Sequence, residues 1–201
     1  DHHSLRPKKM DHSDVRITVG GPDCKQPYSA SLLNISAMSY GALSKNAVIA
    51  LNQGAKMGGF AHNSGEGGLS PHHLQGGDLI WQVGTGYFGC RDNEGNFNPD
   101  TFAEKAQNEQ VKMIEIKLSQ GAKPGHGGIL PAAKLTKEIA EIRDVPMGKD
   151  VNSPPGHSAF SNPLELIEFI KKLRDLCGGK PIGFKLCVGK RREFISICKA
   201  M

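Results

Sequence analysis

An α/β fold of (β/α)8 TIM-barrel type, represented by about six of its eight βα units, is predicted for this chain of 201 residues. Three observations predict it. Short apolar runs of strand length alternate with amphipathic helical segments, the order that builds a parallel sheet. Most of these runs end in glycine- or serine-rich loops that carry polar side chains, as at the strand C-terminal edge where such folds collect their function. A complete eight-stranded barrel typically takes about 250 residues, so this chain reads as a barrel whose C-terminal units are missing.

Residues 1–29 are polar and histidine-spotted and read as a lead-in arm, with residues 30–201 as the barrel-type domain. The first strand is expected at Leu32–Met38. Ser44 follows a short loop and is placed to cap a helix with Ala47, Val48, Leu51 and Ala55 inward, closed by Gly58-Gly59. Phe60–Asn63 and Leu79–Val83 are the next strands. Asn98-Pro99 opens a helix, proline costing little at a first helical position. The alternation at Val111–Leu118 gives a fourth strand, and Thr136 caps a helix through Ile139 to Arg143. Asp150–Ser153 reads as a brief fifth strand stopped by Pro154-Pro155. Asn162, Pro163 and Glu165 mark a capping box before a helix with Leu166, Ile167, Ile170 and Leu173 on its buried stripe. Ile182–Leu186 is the sixth strand, and Phe194, Ile195 and Cys198 belong to a last amphipathic segment.

A hydrophobic content of 38% and a charged content of 22% are ordinary for a globular domain. The net charge of +5 is spread along the chain. It suits anionic small molecules, and the low aromatic content argues against a nucleic-acid stacking platform. The 5 cysteines are odd in number and form no CxxC pair. They support neither a metal site nor a disulfide framework, and reduced thiols suit a cytoplasmic setting. There is no signal peptide and no apolar run of membrane-spanning length, so a soluble protein is expected.

The stretch with most chemical content is Val111–Pro131. Ile114, Ile116 and Leu118 alternate with Glu115, Lys117 and Ser119, and a loop follows with Gln120, Lys123 and His126 among glycines. Small residues let backbone and cations approach a ligand closely, so the loop reads as the floor of an anion site. Pattern alone allows an edge strand with Glu115 and Lys117 in solvent equally well.

Five segments in order resemble the FMN-binding synthase domain of glutamate synthases, and the shorter stand-alone proteins like it. They are Ile35–Ser44 (ISAMSYGALS), His62–Gly68 (HNSGEGG), Ile114–Gly128 (IEIKLSQGAKPGHGG), Asn152–Pro155 (NSPP) and Gly183–Leu186 (GFKL). The resemblance implies a (β/α)8 barrel holding FMN and reductive amination of 2-oxoglutarate with ammonia to L-glutamate. Ala37, Met38 and Ser39 look like the backbone platform beside the flavin, with Gln120 at the flavin edge and Lys185 supplying positive charge near the reduced ring. Lys117, Lys123 and Arg143 match the substrate dicarboxylate site, and Glu66, Lys117 and Lys123 the catalytic groups, Glu66 handling a proton or positioning substrate. The resemblance also implies an electron donor, either a protein or a nicotinamide nucleotide system, and an ammonia-supplying amidotransferase domain or subunit. Ile129 and His126 depart from the glutamine and glutamate of the large synthases, and Ala42 from a common serine. An iron–sulfur cluster is not supported by these cysteines.

Overall fold

The computed structural model describes residues 11, 15–120 and 126–201. Its first element is a hairpin that starts in the expected arm and crosses its boundary, where β1 (Arg16–Val19) pairs antiparallel with β2 (Tyr28–Ser31). The segment expected as the first strand then leaves the ladder. Ser31 Oγ accepts the Leu33 N–H and Asn34 Nδ2 donates to the Ser31 carbonyl. These local side-chain bonds compete with strand pairing. Leu32 and Leu33 are 67% and 72% exposed. Beyond them Ile35 forms a single parallel bridge to His62.

Helix α1 (Lys45–Gly58) begins where Ser44 accepts the Ala47 N–H and ends at Gly59, whose φ of 63° is the left-handed cap conformation. β3 (His62–Asn63) and β4 (Leu79–Val83) follow, then α2 (Pro99–Ala106), capped by Asn98, and β5 (Val111–Lys117). β6 (Ile129–Leu130) and α3 (Lys137–Arg143) precede β7 (Val151–Asn152). α4 (Pro163–Leu176), β8 (Ile182–Lys185) and α5 (Arg191–Ala200) complete the described elements.

The result is a mixed α/β fold around a parallel sheet of four strands in the order β3-β4-β5-β8. The expected count of six parallel strands is corrected in two places. Leu32–Met38 is not a strand, and β7 pairs antiparallel with β6 in a separate ladder, because Gly127 and Gly128 allow the two segments to close on each other. The capping box of α4 is also revised: Asn162 accepts the Glu165 N–H, but the Glu165 carboxylate accepts from Ser161 N–H and Oγ–H. Among the described residues no helix is long and apolar enough to cross a membrane.

The two faces of the sheet differ as strand alternation requires. Leu79, Trp81, Val83, Val111, Ile114 and Ile116 are buried beneath α2 and α4, with Trp81 stacked on Phe102 at 5.1 Å. The opposite face is graded along the strands. At its N-terminal end Ile80 and Met113 pack with Tyr28 and Ala30 of the hairpin. Next comes a polar level, where Glu115 Oε1 accepts from Asn63 Nδ2 at 2.8 Å and Gln82 Nε2 at 2.7 Å. A register shift between Leu79 and Ile80 aligns Gln82 with Glu115. The C-terminal edge is charged. β5 is thus a central strand, and Glu115 and Lys117 face protein rather than bulk solvent.

Candidate active site

Lys117 is the last residue of β5, and its Nζ lies 2.9 Å from Oε1 of Glu66 in the loop after β3. Both side chains are mostly covered, at 13% and 24% exposure. Two glycines make room for the carboxylate. A Cβ on Gly84 would stand 2.6 Å from Glu66 Oε2, and one on Gly128 would stand 3.4 Å from Oε1.

Arg143, at the end of α3, reaches the same region from the other side. Its Nη2 donates to the Tyr40 carbonyl at 3.3 Å, and the guanidinium lies over the Phe88 ring at 5.3 Å. Burial pulls its pKa down, against the opposing charge of Glu66. Among the described residues its buried Nε has no hydrogen-bond partner.

The Ala37–Ser39 segment is fixed by three contacts. The Met38 N–H donates to the Asn63 carbonyl at 3.1 Å, and the Met38 carbonyl accepts from His73 Nε2 at 2.9 Å. Gly65, with φ of 68°, approaches so closely that a Cβ would lie 2.7 Å from the Ser39 nitrogen. Because a carbonyl only accepts, His73 carries its proton on Nε2. Nδ1 then accepts from Ser70, whose N–H and Oγ are 3.2 and 2.8 Å away. Burial depresses the pKa of this imidazole.

Gln120 and His126 border a cavity of about 30 Å³ together with Glu66, Lys117 and Ser119. That space suits one or two water molecules, so a dicarboxylate requires the Glu66–Lys117 contact and the surrounding loops to open. Lys185 is the register partner of Lys117 on β8, exposed and in no ion pair among the described residues. Lys123 lies outside the described residues.

The structure therefore gathers Glu66, Lys117, Gln120 and Arg143 at one edge of the sheet, with Ala37–Ser39 beside the Glu66 loop and Lys185 next to Lys117. Sequence reasoning missed the Asn63–Gln82–Glu115 level, although the period-2 spacing of Gln82 and Glu115 was a signal for it. It also missed His73 and His157. The His157 ring lies between Tyr87 and the Lys117 carbonyl, brought there by a loop with no periodic signature. Among the described residues no group of three His, Cys, Asp or Glu side chains is arranged to hold a metal.

Residues 8–201 match the conserved region in glutamate synthase. A glutamate synthase large subunit-like protein of Bacillus subtilis is 44% identical over 196 residues, covering 96% of this chain and 37% of the relative. An archaeal glutamate synthase [NADPH] of Methanocaldococcus jannaschii is 37% identical over 169 residues, covering 81% of this chain and 30% of that protein. The chain thus spans about a third of the length of these relatives.

Proposed function

The chain belongs to the glutamate synthase family, and from that premise we propose that it is part of an FMN-dependent oxidoreductase that aminates 2-oxoglutarate with ammonia to L-glutamate. The parallel sheet is then part of a (β/α)8 barrel. The observation that carries the reading is the Glu66–Lys117 ion pair at the C-terminal edge of that sheet, with the Arg143 guanidinium lying close against Gly67, next to Glu66.

The residues present fit a flavin in two respects. The close approach of Gly65 to Ser39 leaves backbone, not side chains, along one wall, and Lys185, next to Lys117, is in no ion pair among the described residues. Ala37, Met38, Ser39, Gln120 and Lys185 would hold the group. FMN, when bound, supplies hydride transfer to the substrate carbon.

The chain's own residues bind and orient. Lys117, Lys123 and Arg143 engage the substrate carboxylates, the guanidinium offering paired donors in one plane. Lys117 exchanges the Glu66 carboxylate for a substrate carboxylate, which frees Glu66 to accept or return a proton as ammonia adds and water leaves. One level back along β5, Glu115 is already satisfied by Asn63 and Gln82, so its carboxylate does not compete with substrate for Lys117.

The archaeal relative is named for NADPH, which favours that nucleotide as the ultimate donor; ammonia comes from a separate amidotransferase domain or subunit. A second reading, an oxidoreductase of the same fold acting on another small carboxylate, is favoured by Ile129, an apolar side chain 70% exposed just beyond Gly128 at the cavity's border. Replacing Lys117 or Arg143 by Ala in the full protein tests the first reading. Loss of 2-oxoglutarate-dependent reoxidation of the reduced enzyme by at least tenfold supports it, and undiminished reoxidation refutes it.

A further inference from the structure

His157 makes two directed contacts that neither its loop nor its position in the sequence announces. Its Nε2 lies 2.8 Å from the Lys117 carbonyl, and its Nδ1 lies 3.0 Å from the Tyr87 hydroxyl. The carbonyl can only accept, so Nε2 carries the proton and Nδ1 is an acceptor. The Tyr87 hydroxyl accepts the Ala159 N–H at 3.2 Å, and its own proton is thereby directed at Nδ1. Chemistry at both ends selects one neutral tautomer. The ring is clamped on Phe160, stacked at 4.7 Å, and Tyr87 itself is buried with a φ of 49°. Few non-glycine residues hold that conformation, so packing keeps the hydroxyl where it is.

The peptide that receives this bond is the one where β5 ends. Its carbonyl accepts from His157, and its other side, the Leu118 N–H, donates to the Lys185 carbonyl at 2.8 Å. With both polar groups of this peptide fixed and the preceding one held in the β5–β8 pairing, the Cα–Cβ direction of Lys117 is fixed as well. The same loop is tied to the β4 side a second time, by Thr85 Oγ1 donating to the Pro154 carbonyl at 2.6 Å.

We propose that Tyr87 and His157 are positioning residues for Lys117: they hold the end of β5 so that the ammonium points at the site where Glu66 now sits and an anionic substrate would bind. The functional meaning rests on the reading of Lys117 as an anion ligand. The geometry predicts a specific rescue. Glutamine at position 157 offers one donor and one acceptor, like the neutral imidazole, whereas phenylalanine offers neither.

The test is lysine acetylation by acetic anhydride in the full protein, read by mass spectrometry, with Lys180 and Lys137 as buried and exposed internal references. His157→Phe and Tyr87→Phe are expected to raise labelling of Lys117 at least threefold with the references unchanged, while His157→Gln stays within twofold of wild type. Nitrogen NMR of wild-type His157 is expected to show the Nε2–H tautomer. Unchanged Lys117 labelling in Tyr87→Phe, or an Nδ1–H tautomer, would overturn the proposal. If all lysines in His157→Phe become reactive together, that variant has unfolded, and the tyrosine variant with the wild-type tautomer decides. Adding 2-oxoglutarate separates the two ideas. Protection of Lys117 supports the anion reading, and its absence refutes that reading alone, leaving the positioning role to stand on labelling and tautomer.

Discussion

Lys117 Nζ and Glu66 Oε1 meet at 2.9 Å across 51 residues of sequence, one from the end of a central strand and the other from a glycine-rich loop. Their contact places an internal carboxylate on the cation that the proposed substrate needs. Both side chains are mostly covered, so desolvation offsets much of their attraction and the net contribution to stability stays at about 1 kcal/mol. A glutamine at position 66 can still accept from the ammonium. Glu66→Gln should therefore shift the thermal midpoint by a few degrees at most while lowering turnover at least tenfold. Parallel unfolding and rate measurements check the two halves of that expectation, and equal turnover in the variant would remove Glu66 from the chemistry.

His62 on β3 is fully buried, and among the described residues neither ring nitrogen has a hydrogen-bond partner. Burial, with a smaller effect from His73, lowers its pKa to about 4. The unfolded chain then binds more protons than the folded one between the ordinary value of 6.5 and about 4. Stability is accordingly full above that window and falls as pH falls through it. His62→Phe removes two unsatisfied polar atoms and the titration together. Denaturant titrations at pH 7 and pH 4.5 should show the variant no less stable at pH 7 and with a smaller loss on acidification; an unchanged pH slope would contradict the assignment.

Gly65 joins a positive φ to a backbone contact. Any side chain there is strained, and its Cβ would press on the Ser39 nitrogen at 2.7 Å. Gly65→Ala is expected to cost about 1–3 kcal/mol. Amide exchange at Ser39 and Tyr40 should rise more than exchange in α4, because the displacement falls on the Ala37–Ser39 segment.

Lys180 is buried, and its ammonium donates to the carbonyls of Ala106, the last residue of α2, at 2.6 Å and of Asn108, just beyond it, at 3.1 Å. Burial lowers its pKa. Lys180→Met keeps much of the apolar stem and leaves those carbonyls without their donor, which should cost about 1–3 kcal/mol. Thermal unfolding measures this, and catalytic constants per folded molecule should be unchanged.

What was legible in the sequence follows from the range of the interactions. The caps at Ser44, Asn98, Thr136 and Asn162 were readable because a cap is a bond to a residue two or three positions away. Leu79–Val83 and Val111–Lys117 were readable because burial on one face imposes a period of two. Leu32–Leu33 misled because two apolar residues suggested a strand that the side chains of Ser31 and Asn34 divert into a turn. β7 was legible as the brief strand within Asp150–Ser153, but its antiparallel partner β6 was not, because a two-residue strand has too few positions to show a period. Glu66 and Lys117 were named through their motifs and Arg143 through the wider family resemblance, yet nothing local indicated that Glu66 would occupy Lys117. His157 was invisible because its importance lies in Tyr87, 70 residues earlier, and in a carbonyl that every residue possesses.

The most direct measurement is the visible spectrum of the full protein as purified, followed anaerobically through reduction and then addition of 2-oxoglutarate with ammonium. A flavin spectrum that bleaches on reduction and returns only when both compounds are present is the expected result. A colourless protein that takes up no FMN, or a reduced flavin that neither compound reoxidises, would contradict the proposed reductive amination.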